Sequence, residues 1–83
     1  MSRKRPDRQV LKFGERLRYL RRESGMRQQD LAKKILKNPE TIESIMVMIS
    51  YWETGSRIPT LGNIVRLAKG LDVSISELMG EDR

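Results

Sequence analysis

Thirteen of the seventeen lysines and arginines in this 83-residue chain fall within its first 37 residues, where only four acids oppose them. The formal balance there is +9, against −3 over residues 38–83. Clustered cations raise the local potential and attract phosphate-bearing partners, so a positive half joined to a mildly acidic one suggests a face that meets a polyanion. A basic surface that only keeps the chain soluble fits the same counts. Other chemistries are less well supplied. With no cysteine and no histidine, disulfides, thiolate nucleophiles, imidazole bases and the two commonest zinc ligands are missing together. The sequence has no glycine-rich phosphate loop and no metal-ligand spacing. Glu40 and Glu43 are one helical turn apart and read as a solvated face. Neither an enzyme nor a cofactor nor a metal is expected.

The elements that must position these charges belong to one small domain. A chain of this size buries only roughly 60–65% of its unfolded surface, too little to enclose a deep substrate cavity. No apolar run approaches the roughly 20 residues that cross a bilayer, so a cytoplasmic protein without a membrane partner is expected. Residues 1–9 carry Arg3, Lys4, Arg5 and Arg8 and no apolar face. They read as a flexible basic arm that either follows a phosphate backbone or merely aids solubility. From Val10 the pattern is helical: Val10, Phe13, Leu17 and Leu20 form one stripe, and Gly25 suits the left-handed residue that ends a helix. A short helix over residues 28–36 turns Leu31, Ala32 and Ile35 inward. Asn38 followed by Pro39 reads as the cap and first residue of a third helix running to residue 53, with Gly55 as its terminator. Ile42, Ile45, Ile49 and Trp52 share its inner stripe, and Met46 lies beside them. Thr60 caps a fourth helix with Leu61, Ile64, Val65, Ala68 and Leu71 facing inward. Ser74 and Glu77 form a capping box for a fifth, flanked by Val73 and Leu78. The expected fold is all-α, a five-helix bundle over residues 10–80 with a tail at 81–83.

Two segments in this order, FGERLRYLRRESGMRQQDLAKKI and ISYWETGSRIPTLGNIVRLAKGLDVSISELM, resemble the Cro/lambda-repressor (Xre) family of helix-turn-helix DNA-binding domains. The resemblance runs from about residue 13 to 79. It implies a lambda-repressor-like fold that docks on double-stranded DNA and regulates transcription, with a homodimer as the expected form. It also implies roles for single residues. Gln28, with Arg27 before it and Gln29 after it, matches the opening of helix 2, which faces a DNA phosphate. Arg21 and Glu53 match an ion pair tying helix 1 to the end of the recognition helix. Thr54, Ser56, Arg57 and Thr60 match a second phosphate clamp.

The sequence departs from the family pattern in one place. Leu31 to Gly55 spans 24 steps, where the family takes about 17 in its helix-turn-helix. Seven extra residues inside helix 3 would turn it by about 700° and keep its inner face inward, which predicts a lengthened third helix. That helix carries Glu40, Glu43 and Glu53 but no lysine or arginine, whereas bases are usually read by Arg, Lys, Asn or Gln. Thr41, Ser44, Ser50 and Tyr51 remain as candidate readers. Val47, Met48 and Tyr51 fall on a face that a small core does not cover, so they are expected to form a dimer or partner interface. Arg27 is a poor substitute for the Ser or Thr favoured as the cap of helix 2, although it can reach a phosphate. An interaction module on the same fold, binding a protein partner through the inserted segment, is the alternative to a DNA-binding regulator.

Overall fold

The computed structural model describes residues 8–80. Among these residues there are five helices and no strand: α1 (Arg8–Glu23), α2 (Gln28–Ile35), α3 (Ile42–Thr54), α4 (Leu61–Leu71) and α5 (Ile75–Met79). The all-α bundle anticipated from the sequence is the observed fold. Of the expected basic arm, residues 1–7 lie outside the described residues, as does the 81–83 tail. Arg8 and Gln9 already belong to α1, which corrects the boundary placed at residue 10.

The core follows the helical stripes. Leu17 and Leu20 of α1, Leu31, Ala32 and Ile35 of α2, and Ile45, Ile49 and Trp52 of α3 are buried together. Leu67, Ala68 and Leu71 of α4 and Leu78 of α5 close the cluster. Trp52 is 2% exposed, as its place on the inner stripe of α3 required. Leu61, by contrast, was expected inside and is 73% exposed. Thr60 does cap α4, its Oγ1 accepting the Asn63 N–H at 3.2 Å. Yet the buried series in α4 is 67, 68 and 71, so the first turn projects beyond the core.

Where α1 crosses α3 the two backbones nearly touch. A Cβ added to Gly14 would stand 2.5 Å from the Trp52 carbonyl oxygen and 2.6 Å from that of Glu53. Only a residue without a side chain permits this approach, because backbone cannot move aside as a flexible side-chain tip can.

The connection into α3 also differs from expectation. Asn38 is not the cap. Asn38 and Pro39, joined by a cis peptide bond, occupy the corners of a turn closed by the Glu40 N–H donating to the Lys37 carbonyl at 2.7 Å. The cap is Thr41, whose Oγ1 accepts the Ser44 N–H at 3.2 Å while Ser44 Oγ accepts the Thr41 N–H at 3.4 Å. This reciprocal pair satisfies two otherwise unpaired end groups. It also frees Glu40 to accept the Lys37 N–H at 3.0 Å. α3 is therefore 13 residues long and opens at Ile42. The helix is thus shorter than the one expected over residues 38–53, and residues 36–41 form the connection.

Gly14→Ala is expected to force α1 and α3 apart, at a cost of about 2 kcal/mol. For a domain of this size that lowers the melting temperature by roughly 10 °C. A thermal melt followed by circular dichroism checks it, and a shift under 2–3 °C, by the same scale, would mean that the helices separate freely.

Candidate nucleic-acid interface

The site begins with a carboxylate that has no access to water. Glu53, in the last turn of α3, has a fully buried side chain, and Arg21 of α1 is nearly as buried. The guanidinium grips the carboxylate with both arms: Nε to Oε2 at 2.6 Å and Nη2 to Oε1 at 3.1 Å. Its remaining arm donates from Nη1 to the Met26 carbonyl at 2.9 Å. The matched fork geometry strengthens such a pair and offsets part of the large cost of taking both charges from water. The pairing of Arg21 with Glu53 is thus present in the structure.

The same carboxylate reaches α2. Gln28 donates from Nε2 to Glu53 Oε1 at 3.1 Å, and Arg18 Nε stands 3.5 Å from that oxygen. The Gln28 amide is therefore held rather than loose on the surface. Its NH2 group has two donors, and one is used. Beside it, Arg27 is exposed but engaged: Nε and Nη2 contact the Asp30 carboxylate at 3.1 and 3.2 Å. Asp30 Oδ2 also accepts the Arg27 N–H at 2.9 Å, which supplies the half of a capping box that an acid at the third helical position can make. These bonds to Arg27 hold the Asp30 carboxyl down at about 2. Surface pairs of this kind contribute little to stability, so a phosphate can take Arg27 from its partner at little cost. Gln29 is half-buried.

α3 presents one exposed stripe. Glu43, Val47, Tyr51 and Thr54 recur at helical spacing with Ser44 alongside, and all five are exposed. Ser50 is half-buried at the edge of the stripe. Val47 and Tyr51 thus share a surface with the polar candidates Ser44 and Thr54. Met48 does not, because it packs partly against the core, which corrects its placement on an uncovered face. Thr41 and Ser44 are exposed, but both hydroxyls are used in the cap.

At the C-terminal end of α3, Gly55 takes a left-handed conformation (φ 80°) and turns the chain into the loop before α4. Thr54 Oγ1 donates to the Ser50 carbonyl at 3.0 Å and lies 3.0 Å from Ser56 Oγ. The Arg57 guanidinium stacks over the Tyr51 ring, 5.1 Å from its centroid. This cation–π contact preorganises an exposed arginine that the loop alone would leave unrestrained.

One organising residue was not found from the sequence. Arg66 of α4 donates from Nε to the Ile35 carbonyl at 3.1 Å, and its Nη2 donates to that oxygen as well. Nη2 also contacts Glu40 Oε1 at 2.7 Å, and Nη1 contacts Asn63 Oδ1 at 2.8 Å. The Arg66 bonds, followed by the Lys37 N–H, hold the Glu40 carboxyl below the usual carboxylate range. No local pattern announces this, since its chief partner is a main-chain oxygen 31 residues away.

The helix-turn-helix family profile, which describes Xre and Cro/lambda-repressor-like domains, matches residues 17–78. A search of curated proteins finds no match. Among solved structures, the chain is similar to the restriction-modification controller protein C.AhdI from Aeromonas hydrophila. The two share 36% sequence identity and superpose with a TM-score of 0.70, over 83% of this chain and 94% of that one.

Glu53→Gln removes the charge that compensates Arg21 and leaves a buried guanidinium half-paired. The expected loss is about 3 kcal/mol, a large share of the stability of a small domain. Chemical denaturation followed by circular dichroism measures it. A midpoint equal to that of the parent chain would show that the pair has no structural role.

Proposed function

Since the chain belongs to the helix-turn-helix family of the Cro/lambda-repressor (Xre) type, we propose that it is a sequence-specific transcriptional regulator, repressor-like, that binds double-stranded DNA as a homodimer. The observation that carries this reading is the placing of α2 and α3. One buried carboxylate fixes the N-terminal residue of α2 against the C-terminal turn of α3, and the exposed stripe of α3 stays free of core contacts. A helix so held can enter a major groove while the groups around it meet the phosphates on either side. Arg27 and Gln28 on one flank, and Ser56, Arg57 and Thr60 on the other, are the phosphate ligands. Ser44, Val47, Ser50, Tyr51 and Thr54 face the base edges, with Val47 suited to a thymine methyl. Thr41 and Gln29 lie at the margin of this surface.

Because Val47 and Tyr51 share the α3 stripe with the polar readers, DNA and a second protomer cannot both occupy it. The homodimer is better served elsewhere. Val10, Phe13, Ile58, Pro59, Ile64 and Met79 line an apolar groove of about 220 Å3. Ile58 is 69% exposed, and Leu61 lies one helical turn before Ile64. An exposed patch of this character marks an interaction surface. It is continuous in sequence with Arg57 and Thr60, so a second copy seated there would bring two phosphate clamps together. A protein-interaction module remains the second reading, favoured by the uncharged apolar pair Val47 and Tyr51 on α3.

Binding to duplex DNA should weaken steeply with salt. About six neutralised phosphates give a log–log slope near −5, measured by gel shift or fluorescence anisotropy between 50 and 200 mM salt. No binding to any duplex, together with a co-purifying protein held through Val47 and Tyr51, would replace this reading with the second.

Ile58→Glu places a charge in the proposed dimer groove, at a position already exposed and therefore tolerant in the monomer. Sedimentation should show a dimer for the parent chain and a monomer for the variant, with the melting curve of each protomer unchanged. A variant that stays dimeric would exclude this surface.

A further inference from the structure

The family pattern brings bases to the N-terminal residues of the recognition helix, yet α3 contains no Arg, Lys, Asn or Gln. The usual reading chemistry has therefore moved or been lost. The turn before α3 ends on the residues that would enter the groove first. Asn38 sits at a corner of that turn, exposed, and its side-chain amide makes no hydrogen bond among the described residues. It lies three steps along the chain from the Thr41 cap, a reach of at most about 10 Å.

A loose turn could not read anything with precision, but this one is anchored. Arg66 of α4 holds the Ile35 carbonyl at its start and the Glu40 carboxylate at its end. The Glu40 carboxylate further accepts the Lys37 N–H, and the Glu40 N–H donates back to the Lys37 carbonyl at 2.7 Å. Arg66 thereby has a second effect, since it neutralises the one acid in the turn, which would otherwise repel phosphates. Exposed Lys33, Lys34 and Lys37 add positive charge on the α2 side. A rigid, electropositive turn carrying a free amide has what is needed to address a base edge.

We propose that Asn38 is a base-reading residue, held at the mouth of the major groove by the Arg66–Glu40 anchor and donating to and accepting from one adenine in each half-site. The amide is complementary to adenine N7 and N6, an arrangement that discriminates strongly against the other bases. The inference rests on the DNA-binding reading above. Arg66 and Glu40 act as positioning residues.

Selection of bound sequences from random duplexes, with the parent chain and with Asn38→Ala, tests it. The parent should enrich a motif, and the variant should lose preference at one A·T pair per half-site, about tenfold in relative affinity. Its salt slope, its affinity for unrelated duplex and its melting temperature should stay those of the parent. Asn38→Gln, which keeps the amide, should retain part of the preference. Identical motifs from parent and Asn38→Ala would overturn the proposal while leaving DNA binding intact. So would an unchanged motif with affinity lowered equally for every duplex, which would mark a phosphate contact. A parent chain that binds no duplex, or binds without any preference, would overturn it as well, in the first case together with the function on which it rests.

Discussion

The arrangement depends on a buried negative charge. A carboxylate sealed from water is tolerable only where donors converge on it, and Glu53 draws these donors from two different helices. Arg21 from α1 supplies a bidentate grip and Gln28 from α2 an amide N–H. The net stabilisation from such a cluster is small, because desolvation offsets most of the attraction. Its consequence is positional. Three helices are registered on two oxygen atoms, and each departure leaves a charge or an amide unsatisfied. Gly14 completes the constraint, since it lets α1 approach the α3 main chain at the turn that carries Glu53.

Arg66 plays the matching part at the other end of α3. It satisfies an otherwise unpaired carbonyl at the end of α2 and fixes the turn through Glu40. α3 is therefore tethered at its C-terminal end by Arg21, its preceding turn is held by Arg66, and its inner face is packed through Ile45, Ile49 and Trp52. The exposed stripe bears no positive charge, so affinity for a polyanion has to come from residues around the helix. That division separates phosphate contacts, which set strength, from base contacts, which set sequence.

Much of this was legible in the chain because it follows local rules. The stripe of α1, the left-handed glycines after α1 and α3, and the Ser74 cap are each dictated by spacing or by φ preference. The Arg21–Glu53 pair came from resemblance rather than from spacing. Three features were not legible, for different reasons. Asn38-Pro39 carries the signature of a helix start, but Thr41 and Ser44 make a reciprocal cap that outcompetes it. Leu61 fits the α4 stripe by period, yet period does not reveal where a helix projects past its core. Arg66 satisfies a main-chain carbonyl, and a carbonyl leaves no residue-type signal at either end of the contact.

Residues 56–61 bear two demands at once. Arg57 and Thr60 sit beside Ile58 and Leu61, so the segment proposed to meet phosphates is also the one proposed to meet a second protomer. Ordering by either partner lowers the entropy that the other must remove, and linkage makes that benefit equal in both directions. If the proposed dimer forms through this segment, DNA would favour it by the same factor as it favours DNA. The Arg57–Tyr51 stack extends the connection into α3 itself. A loop fixed by dimerisation would therefore hold Arg57 and Tyr51 in one arrangement on each half-site, and the two-fold axis would be set by the residues that grip the backbone.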